Sequence, residues 1–263
     1  MNILFSHPSP QLNPYIERYW GWDTEENSYM PTIPPGVGAD FFIHYKSPFT
    51  TAQEGQLPTS HLHFSLEHPT EILPSPSIGF IAIRFRTGML KHFCSAPLAV
   101  VADIPVDAED LWGKPGRQMI ERLNGTGDFK SKVALLDRSL TALLKEQQHP
   151  AWHQVVNELY YHQDTLKLQD LANQTNLSYR HFRRRFVEET GMPPKHFQHL
   201  VRFRRTLKPL LIKKEKHYLS EALDSGYFDQ MHFIKDCKRF LNTTPGDFLQ
   251  EKNFMSHFYY PAL

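Results

Sequence analysis

The chain has 263 residues, of which 40% are hydrophobic and 13% aromatic, with a formal net charge of +1. This length accommodates two ordinary domains, and the composition is typical of a soluble globular protein with a β-containing part. Its two cysteines, Cys94 and Cys237, lie far apart, which argues against a disulfide framework or a cysteine-ligated zinc site. We find no apolar run long enough for a membrane span or a signal peptide, and we expect a cytoplasmic protein without membrane contact.

The near-neutral total conceals an uneven distribution of charge. Residues 1–150 contain 12 Lys and Arg against 16 Asp and Glu, whereas residues 151–263 contain 17 against 12. Within residues 178–216 there are 12 basic and 3 acidic side chains. One strongly basic segment in a neutral chain is expected of a protein that neutralises phosphates at a single surface, which indicates nucleic acid as a partner.

Short apolar segments between proline- and glycine-rich turns predict strands over about residues 15–100, the clearest being 39–45, 61–66 and 78–86. Trp20 and Trp22 fall on one face of an earlier strand. In the segment 78–86, alternation places Ile81, Ile83 and Phe85 on one face and Ala82, Arg84 and Arg86 on the other. These strands predict a small β-barrel or half-barrel.

Arg84 and Arg86 have two interpretations. Side by side on one strand face, they are weak candidates for contacts to an acidic effector. We favour the alternative, in which they pair with Asp or Glu side chains near the mouth of the barrel.

Three residues in the same region follow a metal-binding spacing. Counted from Gly55, the positions of His61, His63 and Glu67 match the first metal motif of cupin barrels, and strand alternation puts both imidazoles on one face. The second cupin motif is missing, and Pro74 occupies the closing glycine position of the first. We therefore favour histidines without a metal, and we expect no cofactor.

No catalytic set emerges from the sequence, which contains no Gly-rich phosphate loop, no G-x-S-x-G and no H-E-x-x-H. We expect that the protein is not an enzyme.

Helices are predicted over about residues 104–148. The segment 129–147 carries an apolar stripe at spacings of three and four, formed by Val133, Leu136, Leu140, Leu143 and Leu144. The stripe either packs against the barrel, which we favour, or forms a dimerisation helix. His149-Pro150 is the predicted linker, which divides the chain into domains 1–150 and 151–263.

The segment 166–191 predicts a helix-turn-helix unit. Ser178 is a good N-cap for a second helix that buries Phe182 and Phe186, and Gly191 ends that helix. This phase leaves three arginines outside, at positions 180, 183 and 184.

At these residues the chain resembles the DNA-binding domain of the AraC family of transcription regulators. The family's first motif reads here as Ser178, Arg180, Phe182, Arg184, Phe186, Thr190, Gly191, Pro194, Phe197 and Arg202. Its second motif reads as Gly226, Tyr227, Phe228, Asp229, Gln230, Phe233, Lys238, Arg239, Phe240, Thr244, Pro245 and Phe248. Two such motifs in the right order are a specific signal, and they cover about the last 100 residues.

The resemblance implies an all-α C-terminal domain with a linking helix at about 194–212 and a second helix-turn-helix unit at about 217–241. We expect Pro209 to kink or end the linking helix. The segment before Gly226 is one residue shorter than the family pattern, so Leu223 or Tyr218 must take a core position. Since residues 217–252 hold 4 basic against 6 acidic side chains, we expect the second unit to bind DNA more weakly.

The candidate DNA-contacting residues follow from the resemblance and from helical phase. They are Arg180, Arg183, Arg184, Arg185, Lys195, Arg202, Gln230, His232 and Lys235. Arginine suits guanine O6 and N7, and we expect at least one of positions 180, 183 and 184 to read a base. Arg185 stands where the family has an apolar residue, and we expect it to reach the DNA backbone instead.

The N-terminal half also resembles the sensor half of one AraC-type subgroup. The matches are Tyr15 to Trp20, Pro35-Gly36, Gly79 with Phe85-Arg86, and Leu111-Trp112-Gly113. This implies effector sensing without fixing any ligand residue.

The predicted function is a sequence-specific transcription regulator that binds double-stranded DNA. Its other expected partners are a small-molecule effector, RNA polymerase and a second copy of the chain. One alternative is a cupin-like metalloenzyme or sensor with an accessory basic domain. Another is a regulator whose second unit no longer reads DNA.

Overall fold

The computed structural model describes residues 2–25, 29–145, 150–162 and 166–259. Its N-terminal half is an antiparallel β-sheet with short helices and its C-terminal half is helical, which confirms the predicted α+β organisation. His149 of the predicted linker lies outside the described residues, and the following helix begins at Pro150. In the part of the chain that the structure describes, no helix is long and apolar enough to cross a membrane.

Among the described residues, the N-terminal half contains seven strands: β1 (Asn2–Ser6), β2 (Ile16–Thr24), β3 (Ala39–His44), β4 (Thr50–Thr51), β5 (Gly55–Gln56), β6 (Ser60–His63) and β7 (Ile78–Phe85). Five of them make one antiparallel sheet in the order β1-β2-β7-β3-β6, while β4 and β5 form a separate hairpin. The sequence does not predict β1, which is held by pairing along β2, with Phe5 opposite Trp20.

The two faces of the sheet bury different clusters. Tyr19, Phe41, Ile81, Ile83 and Phe85 belong to the main core on one face. The opposite face carries a second cluster, built on Trp20, Trp22, Phe42, Phe80 and Ala82. The alternation predicted for β2 and β7 is therefore confirmed, and it creates a second apolar surface that another element must cover.

After the sheet, the structure describes four α-helices before residue 146: α1 (Leu98–Val101), α2 (Ala108–Trp112), α3 (Lys114–Asn124) and α4 (Phe129–Leu143). The stripe of α4 is buried at Val133, Leu136 and Leu140. The Tyr19 hydroxyl donates to a carboxylate oxygen of Asp137 at 2.7 Å and fixes α4 to the sheet domain. The apolar stripe is therefore used inside the protomer, which supports packing rather than dimerisation.

The described part of the C-terminal half contains seven α-helices: α5 (Pro150–Tyr161), α6 (Leu168–Gln174), α7 (Tyr179–Thr190), α8 (Pro194–Lys213), α9 (Leu219–Asp224), α10 (Gln230–Leu241) and α11 (Pro245–Phe248). Helices α6 and α7 form one helix-turn-helix unit, α9 and α10 form the other, and α8 joins them. The long α8 contributes to both units, since it contacts α7, α9 and α10.

Pro209 lies inside α8 and does not end it, because the helix continues to Lys213. Of the two outcomes expected for this proline, a kink or the end of the linking helix, the second is therefore wrong. Leu207, Leu210 and Leu211 are completely buried around it. Their packing holds the last turn in place although proline offers no backbone N–H there.

The C-terminal tail, Glu251–Tyr259, returns to the N-terminal sheet as a 3-10 helix. Tyr259 is 1% exposed and joins the second cluster, within 5.6 Å of Trp20 and 6.3 Å of Trp22 between ring centroids. Arg204 of α8 donates to the Tyr259 carbonyl at 3.1 Å, and Arg18 of β2 donates to the Phe258 carbonyl. The tail thereby joins the two halves of the chain, a contact that the sequence does not predict.

Candidate nucleic-acid interface

Helix α7 is built as its sequence predicts. The Ser178 hydroxyl caps its start by accepting from the His181 N–H at 3.3 Å. Phe182 and Phe186 are completely buried, which confirms the predicted phase. The helix ends at Gly191, whose φ of 81° is left-handed and whose Cα faces Leu98 of α1 so closely that a Cβ would lie 3.3 Å from that residue.

The outward face of α7 is basic and accessible. Arg180, Arg183 and Arg184 are all exposed, the last with 74% of its side chain in solvent. The Arg184 guanidinium has only a 3.9 Å approach to Glu188. A planar guanidinium at such positions is able to bind guanine or phosphate without losing a buried partner.

Arg185 points elsewhere. Its guanidinium lies 3.2 Å from a carboxylate oxygen of Glu188 and 2.8 Å from one of Glu189. Glu189 is 4% exposed and also pairs with Lys91 from the N-terminal half. These ion pairs tie α7 to the sheet domain and favour a structural role for Arg185 over the expected contact with the DNA backbone.

Lys195 and Arg202 both lie on α8, in different surroundings. Lys195 is exposed in the first turn, close to the basic face of α7 in sequence. Arg202 lies with its guanidinium carbon 4.5 Å from the centre of the Tyr227 ring and a nitrogen 3.5 Å from Asp236. These contacts make Arg202 a link between α8 and the second unit and favour a structural role over DNA contact.

The second unit is capped and packed like the first. Asp229 accepts from the His232 N–H at 2.9 Å, and Phe233, Cys237 and Phe240 are completely buried, as predicted. Burial also raises the pKa of the Cys237 thiol above its usual range.

The shortened segment before α10 is accommodated by a tyrosine. The Tyr218 ring packs 5.5 Å from the Phe233 ring, whereas Leu223 is 46% exposed. Of the two residues expected to fill this core position, Tyr218 does so and Leu223 does not. Tyr218 is the N-cap residue of α9, and its ring reaches the core from there.

The outward face of α10 is mixed. Gln230, His232 and Lys235 are exposed, as expected for DNA-contacting candidates. The Gln230 amide donates to the Tyr218 hydroxyl at 2.9 Å. Two further residues on this surface were not among the sequence candidates: Phe228 is 85% exposed and Met231 is 58% exposed.

The charged candidates of the N-terminal half separate in the structure. Arg84 is buried with a nitrogen 2.7 Å from a carboxylate oxygen of Asp40, so the interpretation as an ion pair is correct for it. Arg86 lies past the end of β7 and donates to the Asn13 carbonyl at 2.8 Å. Neither geometry presents a pair of arginines to an acidic effector.

The cupin-like residues do not converge. His61 is buried on β6 and stacks on Phe42, while Glu67 faces the C-terminal half, 3.5 Å from His196 and 3.8 Å from Arg239. Among the described residues, no group of three His, Cys, Asp or Glu side chains is placed to hold a metal ion.

Two buried histidines predict a dependence of stability on pH. Burial lowers the pKa of His44 to about 3 and that of His61 to about 4, whereas an unfolded histidine titrates near pH 6.5. The stability that comes from keeping these rings neutral is fully present above about pH 6.5. Below that pH, each histidine lowers the free energy of unfolding by about 1.4 kcal/mol per pH unit until the pKa of the folded state is reached. We expect His44→Phe to make the acid loss of stability shallower in urea titrations from pH 7 to pH 4.

The control for this prediction is His7→Gln, at an exposed position. It should leave the slope of stability against pH unchanged. Equal slopes for His44→Phe and the unmodified protein would contradict the assignment of His44 as a neutral buried ring.

A pocket of about 400 Å³ opens beside β6, between the segments 64–70 and 103–105. Its polar lining includes His61, His63, Ser65, Thr70, Glu54 and Asp103. Asn242, the C-cap residue of α10, closes one side. The pocket therefore touches both the sheet domain and the end of the second recognition helix.

The fold and this surface define a protein with a sheet domain and a pair of helix-turn-helix units. A family model described as a helix-turn-helix domain matches residues 171–251, and one described as a domain of unknown function (DUF6597) matches residues 5–107. Residues 171–251 therefore form an AraC-type helix-turn-helix domain, the DNA-binding domain of a transcription regulator. Its family and fold point to a regulator rather than an enzyme.

Solved structures of ToxT from Vibrio cholerae have a similar fold. A ToxT structure at 1.65 Å resolution is 12% identical with a TM-score of 0.47, over 88% of this chain and 97% of that one. A ToxT structure with an unsaturated fatty acid bound is 10% identical with a TM-score of 0.44, over 88% and 94%. No curated protein sequence matches the chain at a significant level.

Proposed function

We propose that the chain is an effector-responsive regulator that acts on DNA in the cytoplasm, with a sensing unit at residues 1–150 and a DNA-binding unit at 151–263. The exposed arginine face of α7 carries this proposal. The two helix-turn-helix units enter successive major-groove segments about 34 Å apart, and α7 supplies most of the affinity for DNA. The sensing unit supplies the response, and RNA polymerase and a second copy of the chain are the further partners of such a regulator.

A genomic DNA selection with purified protein tests the DNA-binding proposal. It should enrich one sequence pattern, and binding to that site should fall with salt with a log–log slope on the order of −5, as neutralisation of about five or six phosphates gives. A salt-dependent interaction without an enriched pattern would leave only a non-specific binder. Charge reversal at His232 and Lys235 should weaken binding, and unchanged binding would show that the second unit does not contact DNA.

Replacing Arg183 with alanine should weaken binding to the selected site by about 1–3 kcal/mol and relax the preference at one base pair. The exposed guanidinium makes no described contact that the fold would lose, so stability should stay the same. Fluorescence anisotropy on the selected site and on its single-base variants measures both effects. Arg138→Ala, an exposed arginine on α4, is the control, and equal weakening on every sequence would mean a phosphate contact only.

We also propose that the effector occupies the 400 Å³ pocket. Its lining combines imidazoles and hydroxyls with the carboxylates of Glu54 and Asp103, which suits a polar ligand that is neutral or positively charged. Because Asn242 caps α10, a ligand here contacts both units. A ligand that contacts one arrangement of the second unit better than another shifts the equilibrium toward that arrangement.

Narrowing the pocket tests where the effector binds. Ile104 lines the pocket and is 50% exposed, so Ile104→Trp should block a ligand without harming the fold. Thermal-shift screening of polar small molecules should yield a ligand that this variant no longer binds. Val100→Trp, at a position 63% exposed outside the pocket, is the matched control. A ligand that binds both variants equally would place the effector elsewhere.

A further inference from the structure

The outward surface of the second recognition helix includes large exposed apolar side chains, whereas that of the first is basic. Phe228 and Met231 expose 85% and 58% of their surface, among the highest values for large apolar residues in the described chain. Nothing in the function proposed above uses them. Large apolar groups in water at a binding surface indicate that something apolar covers them in the complex.

Phe228 and Met231 lie at the N-terminal end of α10, the helix that enters DNA in the proposed function. The Asp229 side chain caps the helix, so Phe228 directly precedes the cap and Met231 lies in the first turn. The Phe228 ring lies 6.1 Å from the His232 ring, and Lys235 follows Met231 by four residues on the same helical face. In helix-turn-helix proteins the N-terminal residues of the recognition helix contact base edges in the major groove.

Major-groove chemistry offers one apolar feature, the C5-methyl group of thymine. The second unit also lacks the charge to act through phosphates, since residues 217–252 hold 4 basic against 6 acidic side chains. We propose that Phe228 and Met231 recognise thymine methyl groups. This inference rests on the proposed DNA-binding function and deepens it. The operator then contains a guanine-bearing segment read by α7 and a thymine-bearing segment read by α10, about one helical turn away.

Deoxyuridine substitution tests this directly, because deoxyuridine pairs like thymidine but lacks the methyl group. The segment of the selected site that α7 reads is identified by the base pair at which Arg183→Ala relaxes the sequence preference. Replacing the thymidines of the other segment by deoxyuridine should weaken binding about fourfold for each contacted methyl, the effect expected for burying one such group. The same replacement within the first segment should have no effect.

The variants assign the effect to residues. Phe228→Ala combined with Met231→Ala should weaken binding to the thymidine site and abolish its sensitivity to deoxyuridine, while Arg183→Ala retains that sensitivity. Leu219→Ala and Leu223→Ala, at positions 45% and 46% exposed on α9, should bind as the unmodified protein does. Since all these side chains are exposed, melting temperatures should be unchanged.

Three results would overturn the inference while leaving the proposed function intact. They are a second segment without thymine, binding that is insensitive to deoxyuridine, and a Phe228 and Met231 double variant that retains full DNA binding. A double variant that binds DNA normally but no longer regulates a reporter promoter would assign the patch to a protein partner. Failure to select any DNA would instead refute the proposed function.

Discussion

Replacing Tyr259 with alanine should lower the free energy of unfolding by about 3–5 kcal/mol, as removal of a buried aromatic ring from a packed core does. The ring is 1% exposed and packs against both Trp20 and Trp22 on the second face of the N-terminal sheet. Urea titration followed by tryptophan fluorescence measures the loss at the site itself.

Tyr259→Phe is the matched control. The Tyr259 hydroxyl is buried and has no hydrogen-bond partner among the described residues. Removing an unsatisfied hydroxyl while keeping the ring should be neutral or slightly stabilising. Equal losses for the alanine and phenylalanine variants would show that the ring does not pack as described.

The same variant should loosen the attachment of the tail to the sheet. The tail holds the two halves together through the ring, through the Arg204 contact with the Tyr259 carbonyl, and through Thr32, whose carbonyl accepts from the Ser256 hydroxyl at 2.8 Å. Without the ring, the tail loses its apolar contact with the sheet, while the main cluster that runs through both halves remains. We therefore expect one calorimetric transition in both proteins, at a lower temperature in Tyr259→Ala.

Features that depend on neighbouring residues could be predicted from the sequence. The caps at Ser178 and Asp229 and the burial of Phe182 and Phe186 follow from hydrogen bonding and periodicity within one helix. The alternation of β7 is equally local. Most of the DNA-contacting candidates depend on the same phase, which is why the structure finds Arg180, Arg183 and Arg184 together on one exposed face.

Features that depend on distant residues could not be predicted. Arg202 matches its position in the family motif, but its ion pair with Asp236 appears only when α8 packs on α10. Arg185 likewise takes its role from Glu189, which Lys91 approaches from the other half of the chain. The sheet face left open by β2 and β7 implied a covering element, but no local signal identified residues 251–259 as that element.

The buried pair of Arg84 and Asp40 gives the second large effect. Asp40→Ala should cost about 3–5 kcal/mol, because it leaves a guanidinium in the core without its carboxylate 2.7 Å away. Arginine does not lose its proton in proteins, so the charge has no way to neutralise itself. The variant also removes the acceptor of the Trp20 Nε1–H, which donates to Asp40 at 3.0 Å. Chemical denaturation near pH 7 measures the loss.

Arg84→Met should cost less stability than Asp40→Ala, because an unpaired aspartate can take up a proton whereas an unpaired arginine stays charged. Burial raises the pKa of Asp40 against the attraction of Arg84, so without the arginine the carboxyl takes up a proton and stays neutral. When the pKa of a carboxyl is higher in the folded state than in the unfolded chain, the protein has its full stability below the unfolded pKa of about 3.9. It loses stability as the pH rises from there through the folded pKa. We therefore expect Arg84→Met to be nearly as stable as the unmodified protein near pH 4 and progressively weaker at higher pH. Asp40→Ala should lack this dependence, and parallel pH profiles for the two variants would contradict the assignment of a charged pair in the core.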